Sequence, residues 1–289
     1  MHKKIAKSIL SANNGMNLYR GCTHGCIYCD SRSNKYNMNH SFNDVEVKSN
    51  AISLLRKELH NRKEACMIGT GSMTDPYIPL EKELQYTRKS MELVYEYGYG
   101  FTCITKSDLV LRDIDLLEKI NNKTKAVVQM TLTCMDDRTS RIIEPNVCPT
   151  TRRIKVLEKL SERNIPTVVW LCPILPYITD TPENINGIID ACIHANVKGI
   201  ICFGMGLTLR DKNREYYYKK LDQHYPGLKK KYIKQYKNSY HIESPHNAEL
   251  MKIFKEKTSK AGILNKPEEI FKYLHTFPIK DKTVQTKLF

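Results

Sequence analysis

The sequence predicts an α/β fold: a partial (β/α)6 TIM-like barrel followed by a helical C-terminal extension. Three observations carry this. Short apolar, β-branched runs alternate with amphipathic helical runs from residue 16 to about 205. The number of such units is about six, too few for a closed eight-fold barrel. Beyond residue 212 the strand pattern stops, and Tyr-, Lys- and Glu-rich helical stretches run to about 275.

Residues 1–15 read as an N-terminal arm, and a short first strand is expected near 16–20. The Cys-rich loop 21–33 follows it, then a helix over about 48–62 and the strand ACMIGTG at 65–71. The run 81–97 reads as one helix, with Leu84, Thr87, Met91 and Val94 on a single face. FTCIT (101–105) is a strand, DIDLLEKIN (113–121) a helix, and KAVVQMTLT (125–133) a β-branched strand. Helix 150–164 turns Ile154, Leu157 and Leu160 inward, ahead of the strand PTVVWLC at 166–172. Thr181 is a natural N-cap with Pro182 in the first helical position, and Ile185, Ile188, Ile189 and Cys192 form that helix's apolar face. KGIICFG (198–204) is the last strand. Strands separated by helices must pair in parallel, so the site is expected at their C-terminal ends, the rim on which loop 21–33 also lies. The core is thus expected over 16–211, the basic helical extension over 212–275 and a tail over 276–289.

With 289 residues the chain is long enough to bury a substantial core. No apolar run reaches the ~18 residues of a membrane span, and the N-terminus lacks a secretory h-region, so a cytoplasmic location is expected. Ten cysteines in such a chain suggest thiols rather than a disulfide framework. Seven are scattered and read as small buried hydrophobes: Cys66, Cys103, Cys134, Cys148, Cys172, Cys192 and Cys202. Net charge is +15, and from Arg210 onward nineteen Lys/Arg face nine Asp/Glu, a net +10. That excess attracts polyanions, though it is equally the mark of a lysine-rich solvated surface.

Residues 20–29, RGCTHGCIYC, place Cys22, Cys26 and Cys29 on one loop in a C-x3-C-x2-C pattern. Zinc would need a fourth ligand, and His24 sits between two of the thiols with little room to wrap one ion. A ferredoxin cluster would take four thiolates. Three thiols on a [4Fe–4S] cluster leave one iron open, which points to catalysis or substrate binding. Gly21 and Gly25 allow the backbone to turn tightly around such a group.

This pattern, with Tyr28 before its last cysteine, resembles the radical S-adenosylmethionine (SAM) superfamily. GTGSMTDPYIPLEKELQYTR, ITKSDLVLRDIDLL and LTCMDDRTSRIIEP resemble its spore photoproduct lyase-like branch, over roughly residues 16–205. The resemblance implies that Cys22, Cys26 and Cys29 ligate three irons of a [4Fe–4S] cluster while SAM chelates the fourth. Reductive cleavage then gives a 5′-deoxyadenosyl radical that abstracts a substrate hydrogen. It implies an external electron donor of flavodoxin or ferredoxin type. It places Gly71 and Ser72 at the cofactor's amino group, Lys106 at its carboxylate, and Thr131, Thr133 and Glu144 at its ribose. Lys106 and Glu144 read equally as members of structural ion pairs. The lyase carries a cysteine in the stretch matching GTGSMTD; this chain has none there, with Cys66 and Cys134 the nearest substitutes, so a related enzyme with a substrate of its own is expected.

Basic residues interleave with tyrosines in REYYYKK (214–220) and LKKKYIKQYKNSY (228–240). They suit phosphate contact and base stacking, or amphipathic helices with snorkelling lysines. With the lyase-like resemblance, nucleic acid is the expected substrate class, with DNA as the partner it suggests. The closing QTKLF (Gln285–Phe289) resembles the sliding-clamp-binding pentapeptide, which implies a clamp partner; the plainer reading is two apolar residues tucked onto the body. Two further readings stay open: a nucleic-acid-binding protein with a structural zinc on the cysteine loop, and a non-catalytic iron–sulfur electron carrier.

Overall fold

The computed structural model describes residues 1–278, so the Gln285–Phe289 motif lies outside the described residues. Four short strands open the chain: β1 (His2–Lys4), β2 (Gly15–Met16), β3 (Tyr19–Arg20) and β4 (Glu46–Lys48). The repeating units follow as α1 (Ala51–Asn61), β5 (Met67–Thr70), α2 (Glu81–Leu84), α3 (Tyr86–Tyr97), β6 (Gly100–Thr105), α4 (Ile114–Lys123), β7 (Ala126–Thr131), α5 (Asp137–Ile143), α6 (Thr150–Glu162), β8 (Thr167–Trp170), α7 (Pro182–His194) and β9 (Gly199–Ile201). Six strands form one parallel sheet in the order β2-β5-β6-β7-β8-β9, which is also chain order. This is the partial (β/α)6 barrel that the alternating pattern predicted.

Every residue of β7 is buried, because a parallel sheet is covered on both faces. Helices cover the outer face, with α1 on α3, α3 on α4, and α6 on α7. The expected strand near 16–20 divides in two. Met16 pairs with Thr70 at the edge of the large sheet, while Tyr19 pairs with Val47 in a second sheet of order β1-β4-β3. Residues 1–15 therefore do not hang free: His2 pairs with Glu46 and Lys4 with Lys48.

Two helices differ from expectation. The run 81–97 breaks at Gln85, which is left-handed at φ 54°. The Glu81 carboxylate causes the restart, since its Oε1 accepts from Thr87 N at 3.0 Å and caps α3. In α6 the buried stripe is Thr150, Arg153, Val156, Leu157 and Leu160, with Ile154 only partly covered.

The chain closes with β10 (Gly206–Thr208), α8 (Asn213–His224), α9 (Leu228–Tyr236), β11 (His241–Glu243), α10 (Asn247–Lys260) and α11 (Pro267–His275). The extension is helical but not wholly so, because β11 pairs antiparallel with β10. Three residues reading HIE are too short to show a period. Helix α10 packs on α7 and α11 on β9.

Candidate active site

The thiol loop leaves β3 and turns through Gly21 and Gly25, both left-handed at φ +88° and +75°. A Cβ on Gly21 would lie 2.6 Å from the Phe42 carbonyl oxygen, and that same oxygen accepts from Cys22 N at 2.9 Å. The far side of the loop is laced to the end of α5. Ile27 N donates to Ile143 O (2.9 Å), Asn146 N to His24 O (3.1 Å) and Asn146 Nδ2 to Thr23 O (2.8 Å). All three thiols are free; Cys22 and Cys26 are buried and Cys29 is half-buried.

The thiols meet the rim of the sheet at two buried groups. The first is Asp75, just past β5. Its Oδ1 accepts from Thr105 Oγ1 (2.8 Å) and Tyr77 N (2.8 Å), and its Oδ2 accepts from Lys106 N (2.7 Å). The His24 ring is buried, with Nδ1 3.4 Å from the same Oδ2. Burial lowers the His24 pKa against the pull of Asp75. The buried imidazole is thus paired with Asp75 through Nδ1.

The second group is an ion pair. Arg153 Nη2 lies 2.5 Å from Glu144 Oε2, both side chains essentially fully buried. Arg153 Nη1 donates to Thr131 O at 3.2 Å and its Nε to Cys148 O at 2.9 Å. The Tyr28 hydroxyl donates to Glu144 Oε1. One carboxylate therefore links the thiol loop to α6 and to the end of β7. Burial would raise the Glu144 pKa, but Arg153 and Lys106 outweigh it and hold the carboxyl below its ordinary range.

Lys106 directly follows β6, with its ammonium 5.9 Å from the Tyr28 ring centroid. Burial works against its charge, and Cys26 and Glu144 together outweigh it, so its pKa is raised. Burial pushes the Cys22 thiol up to about 12, with Asp75 adding to the effect. It also drives Cys26 upward, with Lys106 opposing. Gly71 directly follows β5 at φ +99°, where a Cβ would sit 2.2 Å from Ile104 O, and Ser72 beside it is exposed. Thr131 is buried through its strand. Thr133 is fully buried, and its Oγ1 has no partner among the described residues.

The structure thus gathers Cys22, Cys26, Lys106 and Glu144 electrostatically, with Tyr28 between the last two. Asp75 and Arg153 were not singled out from the sequence. The signal for Arg153 was there: it falls at i−3, i−4 and i−7 from Val156, Leu157 and Leu160, on the buried stripe. Of the scattered cysteines, Cys103, Cys134, Cys192 and Cys202 are buried, whereas Cys66, Cys148 and Cys172 are half-buried.

Residues 16–185 match the family model of the radical SAM superfamily. The chain belongs to the radical SAM superfamily. An uncharacterized protein of Mycobacterium tuberculosis is 26% identical over 235 residues, spanning 78% of this chain and 68% of its own length. One from Methanocaldococcus jannaschii is 31% identical over 167 residues, covering 57% of this chain and 61% of that protein. Spore photoproduct lyase complexed with dinucleoside spore photoproduct superposes with a TM-score of 0.64 at 13% identity, over 91% of this chain and 80% of that one. A doubly substituted lyase with bound AdoMet and the same dinucleoside superposes at 0.61, over 86% and 74%, also at 13% identity. These structures share the fold. As a radical SAM protein the chain is an enzyme that uses a [4Fe–4S] cluster and SAM, cleaves SAM reductively, and needs an external reductant. The residues present fit such a group: three free thiols on one loop, the Lys106 ammonium acting on Cys26 to balance its charge, and an unpartnered buried hydroxyl at Thr133. Among the described residues no helix is long and apolar enough to cross a membrane.

Proposed function

We propose that this radical SAM enzyme acts on nucleic acid, with Cys22, Cys26 and Cys29 as the cluster ligands. When bound, the cluster and SAM supply an electron and a carbon-centred radical that removes a substrate hydrogen. The chain's own residues do the rest. Phe42 O and the Ile143–Asn146 segment hold the thiol loop in shape. Asp75 fixes the backbone of Lys106, whose charge suits a carboxylate. Gly71 and Ser72 offer backbone at the end of β5 for an amino group. Thr131 and Thr133 offer polar groups at the end of β7, and the free Thr133 hydroxyl is the one suited to a ribose. Both Glu144 oxygens are already engaged by Tyr28 and Arg153, so we assign Glu144 a positioning role.

One observation carries the substrate class. The basic extension does not stand apart from the thiol loop but packs on it: Cys26, Ile27 and Tyr28 share one apolar cluster with Tyr217, Leu221 and Tyr232. Arg210 Nε also binds Asp30 Oδ1, just past Cys29, at 3.1 Å. Outside this cluster α9 presents Lys229, Lys230, Lys231 and Lys234. Tyr240 is half-exposed, with the Arg210 guanidinium 4.5 Å over its ring. Cations and stacked rings beside the reaction centre suit a phosphate backbone and a base. Tyr217 and Tyr232 are not among the rings available for stacking, since both are fully buried with their hydroxyls 3.0 Å apart.

The test begins with anaerobic reconstitution, dithionite and SAM, quantifying 5′-deoxyadenosine beside Cys26→Ala. Wild type yields it and the variant does not. DNA, ultraviolet-irradiated or not, is then added, and its binding is measured against salt for wild type and for Lys229→Glu/Lys230→Glu/Lys231→Glu. A weaker salt slope in the triple variant supports the reading. Cys26→Ala that keeps its iron and its 5′-deoxyadenosine yield overturns the cysteine assignment, and DNA affinity unchanged by the triple variant overturns the substrate class.

A further inference from the structure

Away from the thiol loop, a second set of side chains has the make-up of a metal site. A ring nitrogen of His2, a ring nitrogen of His40 and a carboxylate oxygen of Asp44 lie within 4.8 Å of one another. They come from two segments brought together by the pairing of β1 with β4, in which His2 stands opposite Glu46. The two imidazoles meet edge to face, centroids 4.7 Å apart.

The hydrogen bonds set the tautomer at His40. Its Nδ1 lies 3.0 Å from Ser41 O, a carbonyl that can only accept, so Nδ1 carries the proton. Nε2 then keeps a free lone pair, and that nitrogen is buried with no partner among the described residues. His2 Nδ1 is 2.8 Å from Asp44 Oδ2, and its Nε2 is 3.8 Å from Glu46 Oε2. Asp44 Oδ1 also faces the Met1 amino group at 3.0 Å, and Lys4 Nζ faces Glu46 Oε2 at 3.2 Å.

A simple ion pair accounts for the contact of His2 with Asp44. It leaves the orphaned His40 nitrogen unexplained, and a buried acceptor without a partner costs about 1–3 kcal/mol. A cation between the rings would take that lone pair. Two imidazoles and a carboxylate suit a borderline divalent ion, zinc before calcium or magnesium.

We propose that His2, His40 and Asp44 bind one divalent transition-metal ion of the zinc class. The ion fastens β1 to the strap of residues 37–45, and that strap carries the Phe42 carbonyl which holds Cys22 N. With three protein ligands, water fills the fourth position of the zinc tetrahedron, and the site stands apart from the nucleic-acid reading.

The experiment uses cluster-loaded protein, equilibrated anaerobically with a small excess of zinc, desalted, and analysed for zinc, iron and sulfide together. Wild type is expected to retain about one zinc with its iron and sulfide intact. His2→Ala and His40→Ala each bind zinc at least about tenfold more weakly, and zinc raises the melting temperature of wild type only. His2→Ala carries the test should His40→Ala fail to fold. Equal retention by wild type and variants overturns the proposal. So does zinc uptake matched by loss of iron and sulfide, which would place the zinc on the thiol loop.

Discussion

Arg153 and Glu144 face each other at 2.5 Å in a region neither shares with water, and the pair joins helix α6 to the thiol loop through Tyr28. Removing one partner strands the other charge. Arg153→Met is expected to cost about 3–5 kcal/mol, because the buried carboxylate loses its nearest cation and keeps only Tyr28 and the Lys106 charge. The double variant Glu144→Leu/Arg153→Met should recover much of that loss. Urea unfolding of wild type, Glu144→Leu, Arg153→Met and the double variant checks it, and a double variant as unstable as Arg153→Met would contradict it.

Asp75 is acceptor-only and receives two backbone N–H groups and a hydroxyl. Asp75→Asn turns one acceptor into a donor, and at least one donor is then left facing another. The expected cost is about 1–3 kcal/mol. The variant should keep its iron yet show a raised KM for SAM, since the backbone of Lys106 loses its anchor. Iron content and 5′-deoxyadenosine kinetics separate these effects.

Gly71 and Gly227 are both left-handed, at φ +99° and +85°, but differ in their surroundings. A methyl at Gly227 meets nothing within 4 Å, so Gly227→Ala carries only the left-handed penalty of about 1–2 kcal/mol. At Gly71 the methyl would strike the backbone of Ile104, which has no rotamer to yield. Gly71→Ala should therefore cost more, above roughly 3 kcal/mol. Comparing denaturant midpoints tests the ranking.

Stability should fall in alkali. Burial pushes the thiols of Cys134 and Cys202 from 9.0 to about 11. Between those values the folded chain keeps protons that the unfolded chain has released. Stability is then full below pH 9 and declines as pH rises toward 11. Neither thiol is on loop 21–33, so cluster-loaded protein serves for the measurement. The slope of unfolding free energy against pH should flatten in Cys134→Ala/Cys202→Ala.

The five central strands were legible because each β-branched run is bracketed by amphipathic helices. Thr181 was legible as a cap, and its Oγ1 accepts from Asn184 N at 3.2 Å. The cysteine loop was legible because three thiols at that spacing have few other uses. What stayed hidden depends on contacts distant in sequence. Arg153 sits on an apolar stripe, where an arginine reads as solvated until its partner Glu144 is known. Asp75 draws its meaning from residues 24, 105 and 106 together. The tyrosines of the extension looked like stacking surfaces, but periodicity was too weak to show that Tyr217 and Tyr232 turn inward. Strand β11 is defined by its partner β10 alone.

The sheet is filled in chain order, and this bears on how the chain is made. Each strand leaving the ribosome can dock on the one before it, from β2 through β9. The free side of β9 is the exception. It is sealed by Leu264, whose carbonyl accepts from Ile200 N at 2.8 Å, and by Ile270, which lies against Gly199. During synthesis that edge waits, unpaired, for more than sixty residues to emerge. A nascent or truncated chain ending near residue 211 would present an open apolar edge to its neighbours, and chaperone dependence should be greatest at that length.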